Sequence, residues 1–287
     1  MLDQAESLRK LANGEMLFEN HNKARIITIT SGKGGVGKSN IVVNLAINLV
    51  KKGKKVLIFD ADIGMGNDDV LMGIYPKHNV LDLVNGRLLI EDVIVEGPEG
   101  VKLLPGGSGL NNIEDLQQNQ RDLFLRKIEM LEGFDYIFID TGAGISRSVL
   151  AFIACSDEVI LITTPEPTSL TDGYSLLKAV NHFKIKNKAN IIVNKALDKN
   201  EGEKTFLKFK SAVNKFLSLD VIFLGQVYED RKLVMSVRNQ LPFIIGYPKC
   251  DASKCIEDIT KSLIDSKREK LGGGAEGLFK KLFSIFS

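Results

Sequence analysis

The sequence predicts an α/β protein with a doubly wound, mostly parallel sheet and helices on both faces. Two observations predict this fold. Apolar, β-branched segments alternate with helical segments through the middle of the chain. Several of the apolar segments also end in carboxylates or glycines. Because the carboxyl ends of parallel strands form the ligand-binding edge of an open sheet, we expect a ligand site there. The domain is predicted to span residues 25–270, with tails at 1–24 and 271–287.

Length and composition fit one large domain with short appendages. The chain has 287 residues, is 44% hydrophobic and carries a net charge of +2, which gives no general attraction to nucleic acid. The sequence has no apolar signal segment and no apolar run long enough to span a bilayer. We therefore expect a cytoplasmic protein, peripheral at most on the inner face of the cell membrane. Cys250 and Cys255 could pair, hold a metal or remain free, and neither forms a C-x-x-C motif with Cys155.

The first predicted strand, residues 25–30, leads through a glycine-rich loop into a predicted helix. The pattern G-x-x-x-x-G-K-[ST] between a strand and a helix indicates a phosphate-binding loop. Its glycines allow backbone N–H groups to turn towards phosphate oxygens, and the helix N-terminus adds positive charge. Lys38 is predicted to reach the β- and γ-phosphates, and the Ser39 hydroxyl is predicted to bind Mg²⁺. The predicted nucleotide-binding residues here are Gly32, Lys33, Gly34, Gly35, Val36, Gly37, Lys38, Ser39 and Asn40.

Two further strands deliver carboxylates to the same edge of the sheet. The segment 54–59 ends in Asp60 and Asp62, and the segment 134–139 ends in Asp140. Asp140 stands in the Walker B arrangement, so it is predicted to hold Mg²⁺, through water. Read from the pattern alone, Asp60 and Asp62 could also be solvated aspartates in a turn.

A second lysine in the loop, Lys33, resembles the signature lysine of the deviant Walker A ATPases, the group that contains MinD, ParA and the nitrogenase iron protein. That resemblance implies that the protein binds ATP and Mg²⁺ and forms a homodimer in which Lys33 reaches the partner's nucleotide. Read alone, Lys33 also fits a solvated loop lysine. The segment 60–67 resembles switch I of these ATPases, which implies that Asp62 orients or activates the attacking water and Asp60 supports the loop. The segment 141–144 resembles switch II.

The same resemblance implies where the base binds. Asn194, which ends the predicted strand 189–195, matches the adenine-recognising asparagine of the group. Val227 and Glu229 are implied to border the base, although Tyr228 stands where relatives usually have proline. Asn40 stands where relatives usually have threonine, and its amide can still contact the α-phosphate.

The N-terminal tail contains apolar residues at helical spacing, which fits either a frayed leader or a partner-binding helix. Asp3-Gln4-Ala5 followed by Leu8-Arg9 resembles the N-terminal signature of the FlhG family, also called YlxH or FleN. Members of this family are MinD-like ATPases that set flagellar number and placement. The resemblance implies that Asp3, Gln4, Leu8 and Arg9 bind the GTPase FlhF and stimulate it. Flagellar switch-complex proteins or transcriptional regulators are further implied partners.

The C-terminal tail follows a predicted helix at 252–270 and three consecutive glycines at 272–274. On a helical wheel, six apolar residues fall within an arc of about 160°, with lysines opposite. This pattern fits an interfacial membrane helix or a helix packed on its own domain. Relatives in the MinD and FlhG families carry such a tail, which implies binding to an anionic membrane surface. The six residues are Leu278, Phe279, Leu282, Phe283, Ile285 and Phe286.

These observations predict a Mg²⁺-dependent ATPase that acts as a dimerising membrane switch in flagellar assembly. A MinD-type division-site ATPase is an alternative, but the Asp3-Gln4-Ala5 leader argues against it. A ParA-type DNA-partitioning protein is another alternative, but the sequence has no evident helix-turn-helix or basic terminal block, so no specific nucleic acid is expected. An iron–sulfur carrier would need cysteines at a dimer face. A purely structural protein would not need the intact Lys38, Ser39 and Asp140.

Overall fold

The computed structural model describes residues 24–62, 66–84, 86, 88–107, 117–128, 131, 133–266, 275, 277, 278 and 280. The described strands are β1 (Arg25–Ser31), β2 (Val56–Ala61), β3 (Val95–Glu96), β4 (Lys102–Pro105), β5 (Tyr136–Ala143), β6 (Glu158–Thr163), β7 (Lys188–Ala196) and β8 (Asp220–Tyr228). The longer described helices are α1 (Lys38–Lys51), α5 (Gln118–Ile128), α6 (Arg147–Cys155), α7 (Pro167–His182), α8 (Lys199–Phe216), α9 (Arg231–Arg238) and α11 (Asp251–Asp265). The shorter ones are α2 (Asp68–Met72), α3 (Val80–Val84), α4 (Ile90–Val93) and α10 (Phe243–Gly246).

These strands form one eight-stranded sheet in the order β3-β4-β2-β5-β1-β6-β7-β8. All pairings are parallel except that of the two-residue edge strand β3, which runs antiparallel to β4. The prediction of a doubly wound, mostly parallel sheet is confirmed. Strands β1, β2 and β5 are neighbours at its centre, so the phosphate loop after β1 lies beside the acidic ends of β2 and β5.

Helices cover both faces of the sheet because alternate strand residues pack to opposite sides. In β2, Val56 and Ile58 belong to a cluster with α1, α10 and α11, whereas Leu57 and Phe59 belong to a second cluster on the other face. A third cluster packs α7 and α8 on β6, β7 and β8. Strands buried on both faces read as continuous apolar runs, which is why the sequence showed them clearly.

Two buried hydrogen bonds fix α1, the helix that follows the phosphate loop. The Asn48 amide donates to the Thr260 hydroxyl on α11 at 2.8 Å, and the Asn44 side-chain carbonyl accepts from the Ile244 N–H on α10 at 3.0 Å. These two hydrogen bonds specify how α10 and α11 pack on α1, because any other packing would leave buried polar groups without hydrogen bonds. The first helix is therefore a rigid platform for the loop at its N-terminus.

Candidate functional site

The phosphate loop occupies the carboxyl edge of the sheet between β1 and α1. Gly35 and Gly37 have φ angles of 76° and 88°, a left-handed backbone that favours glycine. The loop lines a cleft of ≈ 760 Å³ together with the ends of β2 and β5. That volume falls in the range of small-molecule sites. The sequence prediction of a ligand site at this edge therefore has a matching cavity.

Two glycines of the loop, Gly32 and Gly37, are required by packing, and Gly37 also by its dihedral angle. A Cβ added to Gly32 would lie 2.2 Å from the carbonyl carbon of Asp172 in α7, so a side chain there would force backbone apart. A Cβ added to Gly37 would lie 2.4 Å from the side-chain nitrogen of Asn194. That same nitrogen donates to the Val36 carbonyl at 2.7 Å. Asn194 thus braces the loop from β7.

Lys38 carries the charge of the site and is paired with the Walker B carboxylate. Its ammonium donates to Asp140 Oδ1 at 2.6 Å, and the two side chains are 7% and 1% exposed. Burial lowers the pKa of Lys38, but the attraction of Asp140 and its hydrogen bond outweigh burial and raise it above the ordinary value. The lysine therefore remains charged. The Ser39 hydroxyl lies 3.5 Å from the same ammonium, so the structure brings Ser39, Lys38 and Asp140 together. Their nucleotide- and metal-binding roles remain predictions.

Asp60 and Asp62, at the end of β2, face the same cation. Burial, followed by repulsion from Asp140, raises the pKa of Asp60 to about 7. Burial also raises the pKa of Asp62, against the opposing attraction of Lys38. Asp60 accepts a hydrogen bond from the Asp62 N–H at 3.2 Å, and a Cβ on Gly142 would lie 3.2 Å from Asp62 Oδ1. Asp62 is therefore held next to the predicted switch II backbone.

Lys33, by contrast, points to the surface. Its ammonium donates to Glu166 Oε2 and to the Thr168 hydroxyl, both at 2.9 Å. Glu166 and Thr168 lie at the start of α7. In the ion pair, the Lys33 side chain is 38% exposed and the Glu166 side chain is 58% exposed. Lys33 and Lys38 thus belong to one loop but hold different partners, one exposed and one buried. Another surface lysine, Lys195, donates to the Gly35 carbonyl at 2.9 Å.

The three residues that the resemblance implies for base binding differ in burial. Asn194 is buried against the loop, with one amide hydrogen bond committed to Val36. The Val227 side chain lies in the core, so a contact with a base would have to use its backbone. Glu229 is exposed, and its N–H donates to the Ala196 carbonyl at 2.9 Å. Their roles in base recognition remain predictions.

Most residues of the two tails lie outside the part of the chain that the structure describes. Asp3, Gln4, Leu8 and Arg9 lie outside the described residues, as do Phe279, Leu282, Phe283, Ile285 and Phe286. Leu278 is described, and it is buried with Ala275 in the second cluster against the domain. This burial matches, for that one residue, the alternative of a tail that packs on its own domain. Within the part of the chain that the structure describes, no helix is long and apolar enough to cross a membrane.

The cleft also contains residues that the sequence did not single out. Val70 of α2, Val237 of α9, and Ser146 and Ser148 at the start of α6 line it. Asp68, at the start of α2, lies among the charged residues of the site. In the sequence, the only indication of Asp68 is its position six residues after Asp62. That spacing is a weak indication, because acidic residues are common in polar turns.

The residues present fit a phosphate group with Mg²⁺. The loop offers backbone amides at a helix N-terminus, and the cluster offers hydroxyl and carboxylate oxygens, which are the ligands that Mg²⁺ prefers. The carboxylates of Asp60, Asp62 and Asp140 act on the charge of Lys38. Among the described residues, no group of three or more acidic, histidine or cysteine side chains could hold a metal ion, so Mg²⁺ would need the phosphates as well as Ser39 and Asp140. The three cysteines are buried and none of them forms a disulfide, so the alternative that Cys250 and Cys255 pair has no support.

Comparison with known proteins identifies relatives of this chain independently of the site geometry. A family model described as an AAA domain matches residues 24–194. The flagellum site-determining protein YlxH of Helicobacter pylori is 38% identical over 287 residues, covering 96% of each chain. The antiactivator FleN of Pseudomonas aeruginosa is 33% identical over 240 residues, covering 83% of this chain and 86% of FleN.

A solved structure that contains a bound nucleotide shares this fold. The septum site-determining protein MinD of Pyrococcus horikoshii, complexed with Mg-ADP, superimposes with a TM-score of 0.67 at 25% identity. The match covers 84% of this chain and 96% of that one. Sequence and structure comparisons therefore agree on the same group of proteins.

Proposed function

The chain belongs to the FlhG family, the FleN and YlxH branch of the MinD/ParA ATPases, and from this we propose that it is an ATP-dependent dimerising membrane switch that regulates the number and placement of flagella. The observation that carries the proposal is the buried pair that Lys38 of the glycine-rich loop forms with Asp140 of β5, with Lys33 at the surface of the same loop. Lys38 binds the phosphates of the nucleotide held by its own protomer, and Lys33 can exchange its exposed ion pair for another partner.

The hydrolysis step uses residues that already converge. Lys38 leaves Asp140 for the phosphates of ATP, because a polyphosphate offers it more negative charge than one carboxylate. Ser39 and Asp140 would hold Mg²⁺, which supplies charge neutralisation to the phosphates. Asp62 lies beside Gly142 and orients the attacking water. Phosphoryl transfer depends on such positioning and charge rather than on a covalent intermediate.

Dimerisation would place Lys33 against the nucleotide of the partner. In the single chain its ammonium is held by Glu166 and Thr168 at the surface. Exposed ion pairs of this kind are weak and exchange readily. Two nucleotides that face each other carry several negative charges, and a lysine from each protomer would offset their repulsion. ADP lacks the γ-phosphate and should not support the same dimer.

The C-terminal tail would attach the dimer to the membrane. Six apolar residues opposite lysines suit an anionic lipid surface. Because Leu278 is buried in the second cluster, membrane contact by this residue requires it to leave that cluster. One tail should bind weakly, and two tails on one dimer raise avidity about 10²–10⁴-fold. Nucleotide state would thereby control membrane attachment.

The leader would act on FlhF separately from the ATPase site. The described chain begins at Ala24 and enters β1 at the amino edge of the sheet, opposite the phosphate loop. A synthetic peptide covering residues 1–13 should raise the GTP hydrolysis of FlhF. A peptide with Gln4→Ala and Leu8→Ala should not. Absence of stimulation by the native peptide well above micromolar concentration would favour the alternative of a frayed leader.

Sedimentation tests the dimer directly. With Asp62→Ala blocking hydrolysis, ATP should convert the protein to a dimer, and ADP should leave it a monomer. Adding Lys33→Ala should abolish the dimer, whereas Lys199→Ala removes an exposed lysine paired with Glu203 and should have no effect. A Lys33→Ala protein that dimerises as well as its parent would exclude the proposed arrangement.

A further inference from the structure

The end of β7 contains a lysine in an unusual backbone conformation. Lys195 has a φ angle of 57°, in the left-handed region that glycine accepts most easily and other residues disfavour. Its side chain is exposed, so burial in the core does not account for a lysine at this position. The ammonium donates to the Gly35 carbonyl of the phosphate loop at 2.9 Å. Disfavoured backbone combined with this contact points to a role of Lys195 towards the loop.

A bulge in β7 directs two consecutive side chains at the loop. Residues 193–196 of β7 pair with residues 226–228 of β8, so β7 carries one extra residue there. In a regular strand, consecutive side chains point to opposite faces of the sheet. The extra residue breaks that alternation, and bulges re-aim side chains in this way beside functional sites. As a result, Asn194 and Lys195 donate to two consecutive carbonyls of the loop.

The two held carbonyls set the direction of two loop amides. The described chain contains no cis peptide bond, and the C=O and N–H of one trans peptide unit point in opposite directions. The carbonyls of Gly35 and Val36 point towards β7, which lies on one side of β1 in the sheet. The ends of β2 and β5, which line the cleft with the loop, lie on the other side of β1. The N–H groups of Val36 and Gly37 therefore face the cleft.

The nearest acidic group does not account for Lys195. The hydrogen bond and attraction of Lys33, followed by the weaker attraction of Lys195, lower the pKa of Glu166. Glu166 thus already has a hydrogen-bonded cation, because the Lys33 ammonium donates to it at 2.9 Å. The hydrogen bond of Lys195 goes to the loop carbonyl instead.

We propose that Lys195 is a positioning residue for the nucleotide: by holding the Gly35 carbonyl, it keeps the Val36 N–H directed at a phosphate group in the cleft. This inference rests on the proposed nucleotide function. Gly35 has a φ angle of 76° and no side chain, so without the ammonium the peptide unit between Gly35 and Val36 can rotate. The loss would weaken phosphate binding, because an N–H that faces a phosphate donates a charge-assisted hydrogen bond.

Fluorescent ADP measures the effect in the full chain, because ADP should bind without forming the dimer. Lys195→Met removes the ammonium and keeps an unbranched side chain. It should weaken ADP binding about tenfold, the scale of one hydrogen bond to a charged group. Lys195→Arg keeps a donor and should recover most of the affinity. Lys184→Met is the matched control and should bind ADP like the wild type, because Lys184 is also exposed, has a φ angle of 55° and follows α7 at the amino edge of the sheet.

Thermal unfolding and NMR separate positioning from a structural role. Without nucleotide, Lys195→Met should melt within about 2 °C of the wild type, because it removes only an exposed contact. In amide spectra of the isotope-labelled chain, ADP should shift the Val36 N–H resonance of the wild type more than that of Lys195→Met.

Four results would overturn the inference. They are wild-type ADP affinity in Lys195→Met, an equal loss in Lys184→Met, no recovery in Lys195→Arg, and a clearly lower melting temperature of Lys195→Met without nucleotide. A wild-type chain that binds no ADP would instead refute the nucleotide function, on which the inference rests.

Discussion

Replacing Arg25 with methionine should destabilise the domain by about 3–5 kcal/mol, because it leaves a buried carboxylate without its cation. Arg25 opens β1 and donates to both oxygens of Glu158, at 2.5 and 2.7 Å. The two side chains are 5% and 8% exposed. Arg25 also donates to the Leu263 carbonyl at 2.7 Å and the Ser266 hydroxyl at 2.9 Å. It therefore joins the start of β1, the start of β6 and the end of α11.

The magnitude follows from which partner is removed. Methionine fills much of the arginine volume, so the loss comes mainly from the Glu158 charge left in the interior rather than from a cavity. The double change Arg25→Met and Glu158→Met removes both charges and should recover most of the loss, since apolar replacement of a buried pair is often neutral. The Leu263 carbonyl and the Ser266 hydroxyl at the end of α11 each lose a hydrogen bond from Arg25 and keep the one that joins them at 2.8 Å, so the recovery should be incomplete.

Denaturant unfolding and thermal melting measure the effect. For a domain of this size, each kcal/mol shifts the melting temperature by about 2–4 °C, so the single variant should melt about 6–20 °C lower. Lys254→Met, which removes an exposed pair with Asp251, is the control and should melt like the wild type. A single-variant loss below about 1 kcal/mol, the range of surface pairs, or a double variant less stable than the single one, would refute the reasoning.

Three further predictions concern the nucleotide site. Asp62→Ala should bind ATP normally and lose about 10²-fold or more in turnover, measured by phosphate release; wild-type turnover would remove Asp62 from the mechanism. Gly32→Ala should lower the melting temperature, because its Cβ would lie 2.2 Å from a backbone carbon. Gly34→Ala, with open space around its Cβ, should not, and equal melting of both variants would contradict the packing argument. Glu166→Gln should release Lys33 and strengthen the ATP-dependent dimer in sedimentation, whereas a weaker dimer would place Glu166 in the interface instead.

The sequence predicted those parts of the molecule that depend on local pattern. The phosphate loop needs glycines, Lys38 and Ser39 at fixed spacing, and Asp140 ends an apolar strand, so neither required knowledge of distant contacts. The fold class followed from the alternation of elements. The order of the strands did not, because it depends on which helix crosses which face. The two-residue strand β3 is too short to leave a pattern.

Other features depended on contacts that sequence cannot show. The resemblance predicts that Asn194 binds the base. The structure shows that its side chain also donates a hydrogen bond to the Val36 carbonyl in the loop. The burial of Asp68 depends on how α2 folds back over the site, which one acidic residue does not reveal. Leu278 illustrates another limit, because an apolar helical face is the same pattern whether it meets lipid or its own domain.

Vesicle flotation tests the central claim most directly, namely that the nucleotide controls membrane attachment. With anionic vesicles and Mg²⁺, ATP should move the wild type into the lipid fraction, and ADP should leave it in the soluble fraction. Phe283→Glu or truncation after Gly274 should abolish the shift, while Lys199→Ala should keep it. Equal flotation with ATP and ADP would contradict the switch, and flotation of the truncated chain would contradict the anchor.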